Sequence, residues 1–309
     1  MIGSESERPA EGGALAEGGA LAEGGALAEG GARAEGGALA VDGLVFDLDG
    51  VVYLGEQAVP GAREALAALS RAGIPVVFCT NHSRLTVAQY RRRLARVGID
   101  VGEPAIVTSA VATGDALAAR GLAGARALVI GQDGVREALA GAGIQVEEDP
   151  ARVDVDLVVV GWDDRFDYPA MRRAATAVRS GAAFIATNDD ATLPRADSVW
   201  PGAGAICAAI ALASGRQPEV MGKPHRGMMD AARQRLGGAR QIAIVGDNPD
   251  SDLAGGRLMG WSTVLVLTGV TDRAAAAALS PAPDLTLDSI ADLPRHLTRA
   301  PPRTGDGRT

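Results

Sequence analysis

The stretch LVFDLDGVVYLG, residues 44–55, places two aspartates, Asp47 and Asp49, one residue apart directly behind an apolar run. A carboxylate carried to the end of a buried strand must be solvated, paired or bound to a metal. Seven further runs share the character of the first: IPVVFCTN (74–81), PAIVTSA (104–110), RALVIG (126–131), DLVVVGW (156–162), AAFIATN (182–188), QIAIVGD (241–247) and STVLVLTG (262–269). They are apolar without alternation and alternate with Ala/Arg/Leu stretches of helical period. They therefore read as strands covered by helices on both faces, the pattern of a parallel α/β fold. Polar residues stand where the runs end: Asp47 and Asp49 after the first, Thr80 and Asn81 after the second, Asp247 after IAIV. In open parallel sheets ligands bind beyond the carboxyl ends of the strands, so these residues are expected along one edge.

The chain has 309 residues, 47% of them hydrophobic, enough for two units with cores of their own. A net charge of −8 and a pI near 5.0 argue against a nucleic-acid binder and against a polybasic membrane contact, leaving a small molecule as the expected partner. The start, MIGSESERPA, has no cationic segment followed by an apolar one, and the longest apolar stretch, AICAAIALA, is too short to span a bilayer. Cys79 and Cys207 have no partner at metal or redox spacing and read as small buried side chains in a reducing cytoplasm. From Ala10 to Leu39 the hexapeptide AEGGAL runs five times, Arg33 replacing leucine in the fourth copy. Two adjacent glycines per repeat oppose helix, so residues 1–40 read as a low-complexity tail and 299–309 as a second unstructured end. The helical stretch QYRRRLARV (89–97) reads as an arginine-rich solvated face.

Of 30 basic residues only Lys223, in VMGKPHRG, is a lysine. One lysine among so many arginines marks a place that needs a compact ammonium with three donors rather than a planar guanidinium. Around Asp247, the segment GDNPDSDLAGG adds Asp250 and Asp252, so five carboxylates converge on one rim if the sheet forms as read. At 4 Å two like charges repel by about 4 kcal/mol even at an effective dielectric near 20, so the rim calls for a cation. An all-oxygen set selects a hard ion, Mg²⁺. The acids do not follow calcium-loop spacing, and GAGAIC (202–207) lacks the third glycine of a dinucleotide fingerprint. Cation, ammonium and the neutral donors Thr80 and Asn81 together suit a phosphate dianion. Asp47 then reads as a nucleophile that takes the phosphoryl group, and Asp49 as the acid and base that serves it.

In order along the chain, DLDGVVYLG, CTN, MGKP and VGDNPDSD resemble the motifs of the haloacid dehalogenase (HAD) superfamily, subfamily IIA, from about Val41 to Leu297. The resemblance implies a Rossmannoid parallel-sheet core in two parts (41–120 and 218–298) with an α/β cap inserted at 121–217. It implies Mg²⁺ held by the Asp47 carboxylate, the Asp49 carbonyl and Asp247, with Asp252 supporting the site from outside. Lys223 would neutralise nucleophile and phosphate, and Thr80 and Asn81 would hold phosphoryl oxygens. His82 stands where members often carry a second asparagine, and reads as a loop residue. The expected activity is a Mg²⁺-dependent phosphatase acting on a sugar phosphate, glycerol phosphate, phosphoglycolate or nucleotide monophosphate. A phosphomutase of the same fold and a non-catalytic sensor with a recruiting tail are the alternatives. Substrate choice is expected from the cap segment TNDDATLPRADSVWPGAG, with Asn188, Asp190 and Leu193 as contacts. Some members of such families dimerise through the cap, which leaves a homodimer open.

Overall fold

The computed structural model describes residues 38–102, 105–194 and 198–300. All eight apolar runs form strands, and they divide between two parallel sheets. The larger sheet has six strands in the order Leu285–Leu287, Ser262–Val266, Ile242–Gly246, Gly43–Asp47, Val76–Thr80, Ile106–Thr108. Every pairing in it is parallel. The central strands are buried along their length, which is why they carry no polar alternation. Phe46, Phe78, Val245 and Val264 fill one face, and Val45, Val77, Met228 and Ile244 the other.

The second sheet has five parallel strands in the order Glu219–Val220, Ala183–Ala186, Leu157–Val160, Arg126–Ile130, Gln145–Val146. Its own apolar clusters lie around Val158, Phe184 and Ile210 on one side and Leu139, Val159 and Ile185 on the other. The strand Glu219–Val220 lies past residue 217, so this sheet reaches further than the cap limits the resemblance implied; a two-residue edge strand has too little pattern to be read. The tail limits shift for the same reason, because Leu39–Val41 pairs in parallel with Leu297–Arg299. The hexapeptide repeat up to residue 37, and the chain beyond residue 300, lie outside the described residues.

The two sheets meet carboxyl edge to carboxyl edge. Residues 81–84 come directly after the strand Val76–Thr80, and each of three strand exits of the smaller sheet touches them. The Gly134 N–H donates to the Arg84 carbonyl, the Trp162 N–H to Ser83 Oγ, and Asn188 Nδ2 to the Asn81 carbonyl, at 2.9, 3.2 and 2.7 Å. No helix among the described residues is long and apolar enough to cross a membrane.

Candidate active site

Asp47 is the last residue of the central strand, Thr80 ends the neighbouring strand, and Asp247 comes directly after Gly246 of the strand on the other side. Parallel register brings all three to one edge. Lys223 enters from the chain that returns from the smaller sheet. Its ammonium, 3% exposed, donates to Asp47 Oδ1 at 2.5 Å and to Asp252 Oδ1 at 2.6 Å, and lies 3.4 Å from the Cys79 carbonyl. Three acceptors for three N–H bonds is the arrangement that favours lysine over arginine here.

Burial alone would push the Lys223 ammonium toward neutrality, but the Asp252 and Asp47 charges win and hold it protonated. Burial likewise raises the Asp47 carboxyl, Lys223 opposes, and Asp252 and Asp247 add to the rise. Carboxylate oxygens of Asp47, Asp247 and Asp252 all lie within 4.8 Å of one another, and all three residues are buried. Three carboxylates against one ammonium leave two negative charges.

Asp247 bears most of that excess. Its Oδ2 accepts the Val270 N–H at 2.7 Å, yet burial, then the Asp252 charge, push its carboxyl up to about 6. The space around it is made by glycine. A Cβ on Gly50, which has φ +84°, would stand 2.4 Å from Asp247 Oδ2, and one on Gly269 1.7 Å. Buried carboxylate oxygens with no histidine or thiol ligand among them, and with charge left over, fit a hard divalent cation such as Mg²⁺. Asp252 differs from the other two in what it touches: one oxygen takes the Lys223 ammonium and the other the Asn248 N–H at 3.2 Å. It holds the lysine, and its neighbours Pro249–Leu253 form a π-helical turn rather than a helix capped by Asp252.

Asp49 stands apart from this cluster. Its carboxylate accepts the Tyr53 hydroxyl at 3.3 Å and lies 3.9 Å from Arg93, with 54% of the side chain exposed. Surrounding protein raises its carboxyl, with Arg93 and Tyr53 pulling the other way, and the open solvent face limits the rise. Thr80 is buried, and its Oγ1 takes the His82 N–H at 3.1 Å. The Asn81 side chain is fully engaged elsewhere. Its Oδ1 accepts the Lys223 N–H at 2.7 Å, while Nδ2 donates to the Lys223 carbonyl at 3.0 Å and to Asp190 Oδ1 at 3.1 Å. Both amide hydrogens are spent, so the side chain has none to give a phosphate. It clamps the backbone of Lys223 instead.

The expected cap contacts divide. Asn188 is 3% exposed and joins the seam through Asn81; Asp190, its carboxyl raised by burial against the Asn81 hydrogen bond, does the same. Leu193 sits instead on an antiparallel hairpin, Thr192–Pro194 with Val199–Pro201, opposite Trp200. Trp200 lies 6.4 Å from the Trp162 ring, which in turn lies 6.3 Å from His82. Cys79 and Cys207 are free and buried, with burial raising both thiols to about 12. The reading of QYRRRLARV as solvated throughout needs correction: Arg91, Arg92 and Arg96 are exposed, but Arg93 is half-buried and turns toward Asp49.

Comparison with known proteins finds relatives of this sequence and fold. The family model for haloacid dehalogenase-like hydrolases matches residues 44–145, and a second HAD-hydrolase-like model matches residues 220–293. An acid sugar phosphatase of Staphylococcus aureus is 36% identical over 228 residues, 74% of this chain and 86% of the relative. The p-nitrophenyl phosphatase of Archaeoglobus fulgidus superposes with a TM-score of 0.77 at 31% identity, covering 83% of this chain and 99% of that one. A glycerol phosphate phosphatase of Mycobacterium tuberculosis, crystallised with magnesium, gives 0.75 at 31% identity over 83% and 77% of the two chains.

Proposed function

Since this chain belongs to the haloacid dehalogenase-like hydrolases, subfamily IIA, we propose that it is a Mg²⁺-dependent phosphomonoesterase acting on a small phosphorylated metabolite through an aspartyl-phosphate at Asp47. The observation that carries the reading is the buried lysine bridging two carboxylates at the end of the central strand, with a third carboxylate beside them. That the relatives named are phosphatases supports it.

Asp47 attacks phosphorus, and an O–P bond forms as the ester O–P bond breaks. The leaving oxygen takes its proton from Asp49, at the open mouth where the organic half must sit. A water then gives a proton to Asp49 and attacks phosphorus; the Asp47–phosphate bond breaks and inorganic phosphate leaves. Lys223 opposes the protonation of Asp47 and holds it in place, and Thr80 at the adjacent strand end faces the phosphoryl oxygens. Asp47 and Asp247, with the Asp49 carbonyl, would hold Mg²⁺, which when bound supplies positive charge against the phosphate dianion. Residues 121–217, extended to the strand at 219–220, act as the cap and choose the organic half. Leu193 and Trp200 on the cap hairpin are better placed for that than Asn188 and Asp190, which bind the seam.

Phosphate release from a panel of sugar, glycerol and nucleotide phosphates, with and without Mg²⁺, tests the reading. Metal-dependent release that is lost in Asp49→Asn supports it. Binding of these esters without release, in the presence of Mg²⁺, overturns it.

A further inference from the structure

Helix Val87–Arg96 begins in a capping box, with Thr86 Oγ1 accepting the Gln89 N–H at 3.2 Å and Gln89 Oε1 the Thr86 N–H at 2.8 Å. The cap fixes the helix register, and Tyr90, Leu94 and Val97 form its buried face. Arg93 lies three residues after Tyr90, on the flank of that face, and only 22% of its side chain is exposed. Its guanidinium stacks on the Tyr53 ring, 4.4 Å from the centroid, and Nη2 donates to the Gly55 carbonyl at 2.8 Å. The same Nη2 lies 3.9 Å from Asp49 Oδ1, and the buried Nε–H has no hydrogen-bond partner among the described residues.

Tyr53 also donates its hydroxyl to Asp49, and Tyr53–Leu54 pairs with Gln57–Ala58 in a short hairpin. Two strands of two residues each have little stability of their own. The guanidinium thus ties three things into one unit: the helix, the hairpin, and the carboxylate that faces the leaving group.

We infer that Arg93 is the positioning residue of this site, holding Asp49 and the Tyr53–Ala58 hairpin in the geometry from which Asp49 protonates the leaving oxygen. The inference rests on the phosphatase reading above. It does not require Arg93 to touch the substrate.

A leaving-group comparison separates positioning from general support of the fold. p-Nitrophenolate departs without a proton, whereas the alkoxide of glycerol phosphate needs one, and kcat/KM reports only the steps up to the first irreversible one. Both esters are assayed with wild-type protein, Arg93→Met and Arg93→Lys, with thermal melts of each. In Arg93→Met we expect kcat/KM for glycerol phosphate to fall about 10–100-fold, within the range of general acid catalysis, and that for p-nitrophenyl phosphate to fall less than about threefold. Arg93→Lys keeps the charge but not the planar stack and fork, and should recover only part of the loss. Equal losses on both esters, or no loss on either, overturn the inference while leaving the phosphatase reading intact. A wild-type protein that cleaves neither ester overturns the reading of the site, and the role of Arg93 with it.

Discussion

The two parallel sheets are built on the same plan and end differently. At the carboxyl edge of the six-stranded sheet stand Asp47, Thr80 and Asp247, all buried, with the two carboxylates close enough that Asp247 helps raise Asp47. After the three inner strands of the five-stranded sheet stand Gly131, Gly161 with Trp162, and Thr187 with Asn188, while its edge strand Glu219–Val220 runs on to Lys223. The first three exits turn the chain and bind the other unit and carry no charged group, while the fourth delivers the buried Lys223 to the first edge. A parallel sheet offers a place for chemistry but does not supply it. On the proposed reading the first edge carries the reaction, and the second supplies the clamp, the catalytic lysine and the surroundings of the substrate.

The sharpest way to break this division is at Asp47. Asp47→Asn should lower kcat by at least about 10⁴-fold, since no other group can form the covalent bond. Lys223 keeps Asp252 as a partner, so the melting temperature should stay close to wild type. Phosphate release and a thermal melt together check both halves.

Lys223 is the next test. Lys223→Arg should lower kcat about 10²–10³-fold, because a planar fork cannot serve Asp47, Asp252 and the Cys79 carbonyl from one point. Lys223→Met leaves two buried carboxylates uncompensated and should destabilise the protein by about 3–5 kcal/mol in denaturant unfolding.

Asp247 should behave in the opposite sense for stability. An acid whose folded pKa lies above its unfolded one stabilises the fold only when protonated. With Asp247 raised from the ordinary 3.8 to about 6, its penalty sets in between those two pH values and is complete above the second. In Mg²⁺-free buffer at neutral pH, Asp247→Asn should therefore be more stable than wild type by about 1–3 kcal/mol, an advantage that disappears as the medium is acidified past the ordinary carboxylate range. Mg²⁺ should raise the melting temperature of wild type and lose most of that effect in the variant, read by titration of the melt.

The smallest expected change lies on the other edge. Leu193→Ala and Trp200→Ala should reorder the preferred esters by about three- to tenfold in kcat/KM while leaving kcat for p-nitrophenyl phosphate within about threefold, one or two apolar contacts being worth that much. A loss of about 10²-fold on every ester would place the hairpin in the reaction itself and end the comparison.

How far each feature is legible in the sequence depends on how local its cause is. Long apolar runs announce buried strands because burial on both faces leaves one kind of residue, and all eight runs are strands. Asp47, Asp247 and Lys223 are legible because a strand end, an acid-rich turn and a single lysine are visible without knowing any contact. The division into two sheets is less so: Gln145–Val146 and Glu219–Val220 have two residues each, too few for a pattern, and pair only because a neighbour is present. Arg93 is hidden among Arg91, Arg92 and Arg96. A signal exists in its spacing from Tyr90, Leu94 and Val97, but a half-buried flank and a solvated one differ by a single step around the helix. Asn81 is legible in place but not in task, because which way an amide spends its two hydrogens depends on residues more than a hundred positions away.

The central claim is the covalent bond at Asp47, and trapping it is the most direct test. Protein mixed with Mg²⁺ and a reactive phosphate ester, quenched during turnover, reduced with borohydride and digested, should yield homoserine in place of Asp47, seen by mass spectrometry of the peptide that spans it. The signal should vanish when the ester is omitted. Reduction at another carboxylate, or none while phosphate release continues under conditions that trap a known acyl phosphate, would contradict the account.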